Sequence, residues 1–380
     1  MPLTALREVS APAPQASLLD PVDRIAARDL SPLVQRIDRE GHYPEAVLRQ
    51  LGQAGAFAAH LTSSGGERGR LFDAVAAMAR VGQDCLSTSF CMWCQDTFAW
   101  YLENTENQQL KRATLPGAAS GKILGGTGLS NPMKALARIE PLRLGAVETC
   151  DGFVLNGTLP WVSNLGPGHL FGTAFPVQGD GRLVMALVDC SQEGVRLGDG
   201  ARFLALDGTR TCSVTFRDAL VPRSMVLADD ALPFIARIKP GFILLQCGMA
   251  LGLIRGCVEL MRRCDESGSD TNRFLQDRPE TFDEALVRLT RDVAALSETP
   301  LETSREYMRR VLETRLEASE WSLRAAQAAM LHAGARGYVA GAPAQRRLRE
   351  SYFIAIVTPA TKHLRRELAC LQARGQERPE

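Results

Sequence analysis

Few side chains in this sequence stand at spacings that could do chemistry. Cys91-Met-Trp-Cys94 has the spacing of a redox dithiol or of half a metal site. Neither use is completed, because no second Cys pair stands at zinc-site distance and no βαβ pattern surrounds it. The segment is apolar and helical in period, so its thiols read as packed core, where Cys behaves as a small hydrophobe. The five histidines are His42, His60, His169, His332 and His363. No two stand at i, i+4, the spacing that sets two ligands on one helix face, and no metal site is expected. Arg346-Arg347-x-Arg349 and Arg365-Arg366 read as solvated helix faces, with a guanidinium or two able to grip a phosphate. Ser130 and Ser163, taken alone, read as hydroxyls bonding nearby backbone. Trp161 reads as a core aromatic, and Gly334 and Gly337 as a helix cap and a turn.

The elements that must position these residues come in three blocks. Over about 21–121 the period is helical: Leu33, Ile37, Val47, Leu48, Leu51 and Ala54 recur at that spacing, and Pro44 stands where a helix can begin. Over about 122–230 short apolar runs alternate with turn signals at Gly125-Gly126, Asp151-Gly152, Asn156-Gly157 and Gly179-Asp180-Gly181. Asn156-Gly157 is the strongest hairpin signal. Leu183 to Asp189, Ser213 to Phe216 and Met225 to Leu227 read as strands of a small barrel or sandwich. Over about 231–380 the period is helical again. Phe242 to Arg263, Phe282 to Leu296, Leu301 to Leu331 and Arg346 to Leu371 predict a four-helix bundle. Residues 1–20 are expected to be flexible.

Composition bounds the function. With 44 Lys plus Arg against 43 Asp plus Glu, the net charge is +1, which argues against a broad nucleic-acid or anionic-membrane footprint. The longest charge-free apolar run, Pro240 to Ile254, is 15 residues, short of the ~20 that span a bilayer. The ten cysteines are scattered, no leader pattern opens the chain, and a cytoplasmic location is expected.

Helices, a small β-domain and a helical bundle, in that order, resemble the acyl-CoA dehydrogenase family. The likeness runs over roughly 25–375. It rests on Asp38-Arg-Glu-Gly-His-Tyr-Pro, Ser64-Gly65-Gly66, Gly121-Lys122, Leu129-Ser130-Asn131-Pro132, Asn156-Gly157 through Trp161-Val-Ser163-Asn164, and Leu206-Asp-Gly-Thr through Val221-Pro222. Gly248-Met-Ala-Leu-Gly252, and Gly334-Ala-Arg-Gly337-Tyr338 with Pro343 and Arg349-Glu350, complete it. The resemblance implies an α+β multidomain fold, with a helical N-terminal domain, a middle β-barrel and a C-terminal four-helix bundle. It implies a flavin, usually FAD, held at the Leu129-Ser130 turn, with Trp161 packed on the ring and Ser163 at its reactive edge. It also implies a homodimer or homotetramer in which Gly334 and Gly337 approach a neighbour's FAD. The substrate would be an acyl-CoA or acyl-carrier thioester, dehydrogenated across its α,β bond with hydride passing to the flavin, and an electron-accepting flavoprotein could be a partner.

The departures are as informative. The carboxylate that takes the α-proton in this family falls at Thr358, followed by Pro359. Its alternative position falls at Phe242, and neither side chain is a base. Glu367 stands more than two helical turns beyond Thr358, and His363 more than one. Ala135-Leu136-Ala137 replaces a Gly-Ser-Asp that helps hold pyrophosphate, and Arg273-Phe274 is a poor match to a second cofactor contact, so FMN is the alternative to FAD. Dehydrogenation of an acyl thioester with a displaced base is the expected function; the alternatives are flavin-dependent monooxygenation, with Ser163 and Asn131 as small polar groups near the reacting oxygen, and an inactive scaffold.

Overall fold

The computed structural model describes residues 16–62, 66, 69–267 and 270–376. Six helices open it: α1 (Ala16–Ile25), α2 (Val34–Glu40), α3 (Glu45–Gln53), α4 (Leu71–Asp84), α5 (Leu86–Asn104) and α6 (Gln108–Ala119). Of the segment expected to be flexible, 1–15 lies outside the described residues, and 16–20 is already helix. Ser64 and Gly65 also lie outside. As expected, Pro44 sits just before α3. α5 is buried from Leu86 to Leu102, so its apolar composition is that of a central helix rather than an amphipathic one.

The β-region holds β1 (Gly125–Thr127), α7 (Ser130–Leu136), β2 (Leu144–Glu148), β3 (Gly152–Val162), β4 (Leu170–Pro176), β5 (Leu183–Asp189), β6 (Val195–Leu197), β7 (Cys212–Pro222) and β8 (Val226–Ala228). The expected small barrel takes the form of two four-stranded sheets, β1-β4-β5-β8 and β2-β3-β7-β6, joined by a bridge between Ala146 and Val177. Two expected turns are corrected. Asn156-Gly157 does not end a hairpin: β3 runs through it, and the β3–β7 register shifts between Leu155 and Gly157. The same positive φ that suits a tight turn, +128° at Gly157, here forms a bulge. Gly125-Gly126 is strand, paired in parallel with β4, and its bare Gly126 admits Ser163 O, which a Cβ there would meet at 2.2 Å. Gly179-Asp180-Gly181 does turn the chain, between β4 and β5.

The bundle comprises α8 (Ala231–Ser267), α9 (Pro279–Ser297), α10 (Arg305–Gly337), α11 (Pro343–Ile356) and α12 (Thr361–Gln376). The helix expected over 346–371 is two helices. Pro359 has no N–H to continue α11, and its ring disfavours helical backbone at Thr358. α8 is long and apolar enough to cross a membrane, yet 94% of its most apolar window is buried within the protein. α4 lies close against it: a Cβ on Gly252 would meet Ala79 O at 2.4 Å and Gly82 backbone at 2.8 Å.

The two helical regions share one apolar core, while the sheets keep a second. Polar side chains of α5 stitch the three parts together. Gln95 donates to Ala118 O and Ile123 O at 2.9 Å and accepts from Gly125 N at 2.8 Å. Tyr101 shares a 2.6 Å hydrogen bond with Thr127. Trp93 and Trp100 donate to Phe242 O and Ile238 O on α8. Each bond satisfies a group that would otherwise be buried without a partner.

Candidate active site

Where the three parts meet, a cavity of about 440 Å³ opens. α5 contributes Phe90, Trp93 and Cys94, the bundle contributes Phe242, Tyr352 and Phe353, and the β-region contributes Thr127, Ser130, Trp161 and Ser163. Phe90 stacks on Trp93 with centroids 5.6 Å apart and meets Phe353 edge-on at 4.5 Å, while Trp93 meets Phe242 edge-on at 5.0 Å. These are favourable ring geometries, and they make a continuous aromatic wall. At the rim Trp161 is 48% exposed and stands edge-on to Phe203 at 5.5 Å.

Opposite the aromatics stand hydroxyls. Ser130, at the start of α7, lies with its Oγ 2.9 Å from Thr358 Oγ1. Ser163, just past β3, lies 2.6 Å from Thr211 Oγ1, which lies 2.7 Å from Thr209 Oγ1. Thr358 is held from behind: Gln246 donates to its carbonyl at 2.8 Å and accepts from Arg315 Nε at 2.8 Å. Arg315 also donates to Ile354 O at 2.7 Å and to Ser319. It is fully buried, and burial pulls its guanidinium down to about 10, so it remains a cation at neutral pH.

Among the described residues, the cavity lining contains no Asp, Glu or His. Its two cations are already engaged, Lys134 with Glu140 at 3.7 Å and Arg349 with Asp38 at 2.5 Å and Leu204 O at 2.9 Å. Glu367 and His363 line a different cavity, of about 620 Å³. There Glu367 pairs with Lys239 at 2.7 Å and with His363 at 2.9 Å. Burial would raise its carboxyl, but the His363 hydrogen bond and the Lys239 charge hold it down to about 2.

Of the residues singled out in the sequence, Ser130, Trp161, Ser163 and Thr358 therefore converge. Leu129 adjoins them, but its side chain is buried in the core, leaving only its backbone beside the site. Gly334 and Gly337 do not join them: they line a separate cavity of about 460 Å³ near Cys264 and Asn272. Asn131 is also elsewhere, donating to Glu140 and Pro141 O at 2.8 and 2.9 Å and accepting from Arg143 N. Arg346 and Arg347 are not solvated. They are buried, Arg346 bonds Glu350 at 2.8 Å, and Arg347 lies over the bare backbone of Gly256. Cys91 and Cys94 are buried thiols pushed well up by burial, which makes them poor nucleophiles. The chemistry-bearing residues not foreseen are Thr209, Thr211, Gln246 and Arg315. The Thr-Arg-Thr step leading into β7 was the visible signal for the first two.

The comparisons with known proteins fit this geometry. Residues 13–122 match the family model for the acyl-CoA dehydrogenase N-terminal domain. The human mitochondrial short-chain specific acyl-CoA dehydrogenase is 24% identical over 366 residues, covering 92% of this chain and 87% of its own. The structure of butyryl-CoA dehydrogenase from Megasphaera elsdenii superposes with a TM-score of 0.83 at 16% identity, covering 94% of this chain and 97% of its own. Dibenzothiophene monooxygenase from Paenibacillus superposes with a TM-score of 0.79 at 17% identity, covering 93% and 96%. With that domain match, a relative along nearly its whole length and the shared fold, the chain is similar to the acyl-CoA dehydrogenase family and has its fold.

Proposed function

We propose that this acyl-CoA dehydrogenase-like flavoprotein is an oxidoreductase of the monooxygenase type, acting on a compact apolar substrate. The observation that carries the reading is the cavity lining, which has no carboxylate or imidazole. Removing the weakly acidic α-proton of a thioester needs a base within about 3 Å of it. Glu367, the acid nearest Thr358 along the last helix, lines the other cavity and is tied up there as an ion pair.

The residues present fit a flavin ring. The cavity is in the size range of ligand sites, and hydroxyls at Ser130, Ser163 and Thr358 can bond ring heteroatoms. Trp161 can cover a face at the rim. Bound there, a flavin would supply the electrons for oxygen chemistry. FAD is the form the family implies, and FMN is the alternative, since Ala135-Leu136-Ala137 offers no hydroxyl to a pyrophosphate. The chain's own contribution is positioning and exclusion. Phe90, Trp93, Phe242 and Phe353 present an apolar wall, and the hydroxyls orient ring and substrate, while Lys134 and Arg349 in the lining are held by Glu140 and Asp38. A homodimer or homotetramer is part of the proposal, with Gly334 and Gly337 facing a neighbour's cofactor, as is a cytoplasmic location.

The test is oxygen incorporation. With a flavin reductase, NADH and labelled dioxygen, small aromatic substrates should yield products carrying one labelled oxygen. No labelled product across such a panel would contradict the proposal. Dehydrogenation of an acyl-CoA is the second reading, favoured by the human dehydrogenase that matches 92% of the chain. It would draw electrons off to a partner flavoprotein.

A further inference from the structure

The hydroxyl row beside Ser163 has a direction. Thr209 Oγ1 donates to Leu206 O at 2.7 Å, and a carbonyl oxygen can only accept. A hydroxyl has one proton and two lone pairs. With its proton committed, Thr209 can only accept from Thr211 across their 2.7 Å contact. Thr211 must then accept from Ser163 across 2.6 Å. Ser163 is left with lone pairs alone to show the cavity. The Ser130–Thr358 pair differs, because its one mutual contact uses one of two protons and leaves a donor free.

We infer that Thr209 and Thr211 are positioning residues that hold Ser163 as a pure hydrogen-bond acceptor, so that the site favours the reduced, N–H-bearing flavin over the oxidised one. The inference rests on the flavin reading above. An oxidised flavin presents bare nitrogen lone pairs at its reactive edge, and two-electron reduction puts a hydrogen there. An acceptor-only hydroxyl bonds the reduced edge and meets the oxidised edge lone pair to lone pair. One matched bond is worth about a tenfold preference.

The midpoint potential of the flavin-loaded protein reads this directly, with flavin content checked for each variant. T209V keeps side-chain volume, and Leu206 O keeps its 3.2 Å bond from Thr209 N, so the fold should hold. T209V and T211V should each release Ser163 to donate into the cavity. Both should cost about tenfold of the preference for reduced flavin, about 30 mV more negative for a two-electron couple. S163A should shift the potential the same way, and T211S should restore it. If S163A shifts the potential while T209V and T211V leave it unchanged, Ser163 touches the flavin but the threonines do not orient it, and the inference is overturned while the flavin reading stands. If all three leave it unchanged, the ring does not sit at Ser163, and both fall.

Discussion

Two cavities flank α7 and the break between α11 and α12, and their chemistry is opposite. α7 gives Ser130 and Lys134 to one, and Met133 and Leu136 to the other. The first cavity has aromatic walls, neutral hydroxyls and no acid. The second holds Glu367 ion-paired with Lys239 at 2.7 Å and beside His363 at 2.9 Å. Five residues past Thr358 the chain offers an imidazole, and nine past it a carboxylate, yet neither reaches the Ser130 side. Pro359 ends α11, and α12 restarts with those groups directed elsewhere. Proximity in sequence is therefore a poor guide to which residues share a site when a helix break lies between them.

The largest expected effect tests the aromatic side. Trp93→Ala removes an almost fully buried indole whose ring contacts Phe90 and Phe242, and should cost about 3–5 kcal/mol in denaturant unfolding. A loss under 1 kcal/mol would mean that this wall is not packed as described. Next is the charged side. Glu367 is depressed to about 2 in the folded protein, so its contribution is present above its ordinary pKa. It should fade as pH falls from about 4.5 toward 2. That loss, on the order of 3 kcal/mol, should be missing from Glu367→Gln, which should change turnover in the acid-free cavity less than twofold. A large drop in turnover would place Glu367 in the chemistry.

Gln246 stands between Thr358 and Arg315. Gln246→Leu leaves the buried Arg315 with one acceptor fewer and frees the Thr358 carbonyl, a cost of about 2 kcal/mol, with flavin affinity falling alongside. Unchanged affinity would separate that network from the site. The smallest effect is expected from Thr358→Val, which removes one partner of Ser130 and should cost about 1 kcal/mol or less. Flavin affinity should fall by less than it does in Gln246→Leu, because Thr358→Val removes one ring-facing hydroxyl and leaves Ser130 in place.

Much of this was visible in the sequence where local chemistry decides the outcome. Leu183 to Asp189 is a strand with the expected bounds, because an apolar run between turn residues has few other uses. Ser130, Trp161, Ser163 and Thr358, far apart in the chain, line one cavity. The misreadings share a cause, since each residue type serves two structures and packing chooses between them. Asn-Gly suits a bulge as well as a turn. Adjacent arginines suit solvent unless a bare Gly256 and a Glu350 one turn away receive them. The break at Thr358 was foreseeable from Pro359, but the placing of His363 and Glu367 in the other cavity depends on packing against α10 and Lys239. The polarity of Ser163 depends on three oxygens brought together by β3 and the approach to β7, which no local pattern encodes.

The central claim is that no described residue lining the cavity carries a carboxylate or imidazole to take an α-proton. Anaerobic titration of the flavin-loaded protein with a panel of acyl-CoAs, followed by its absorbance, tests it most directly. The account predicts that the flavin band stays unbleached by every thioester and is bleached only when a reductase with NADH is added. Rapid bleaching by any acyl-CoA would contradict it and establish a base in the cavity.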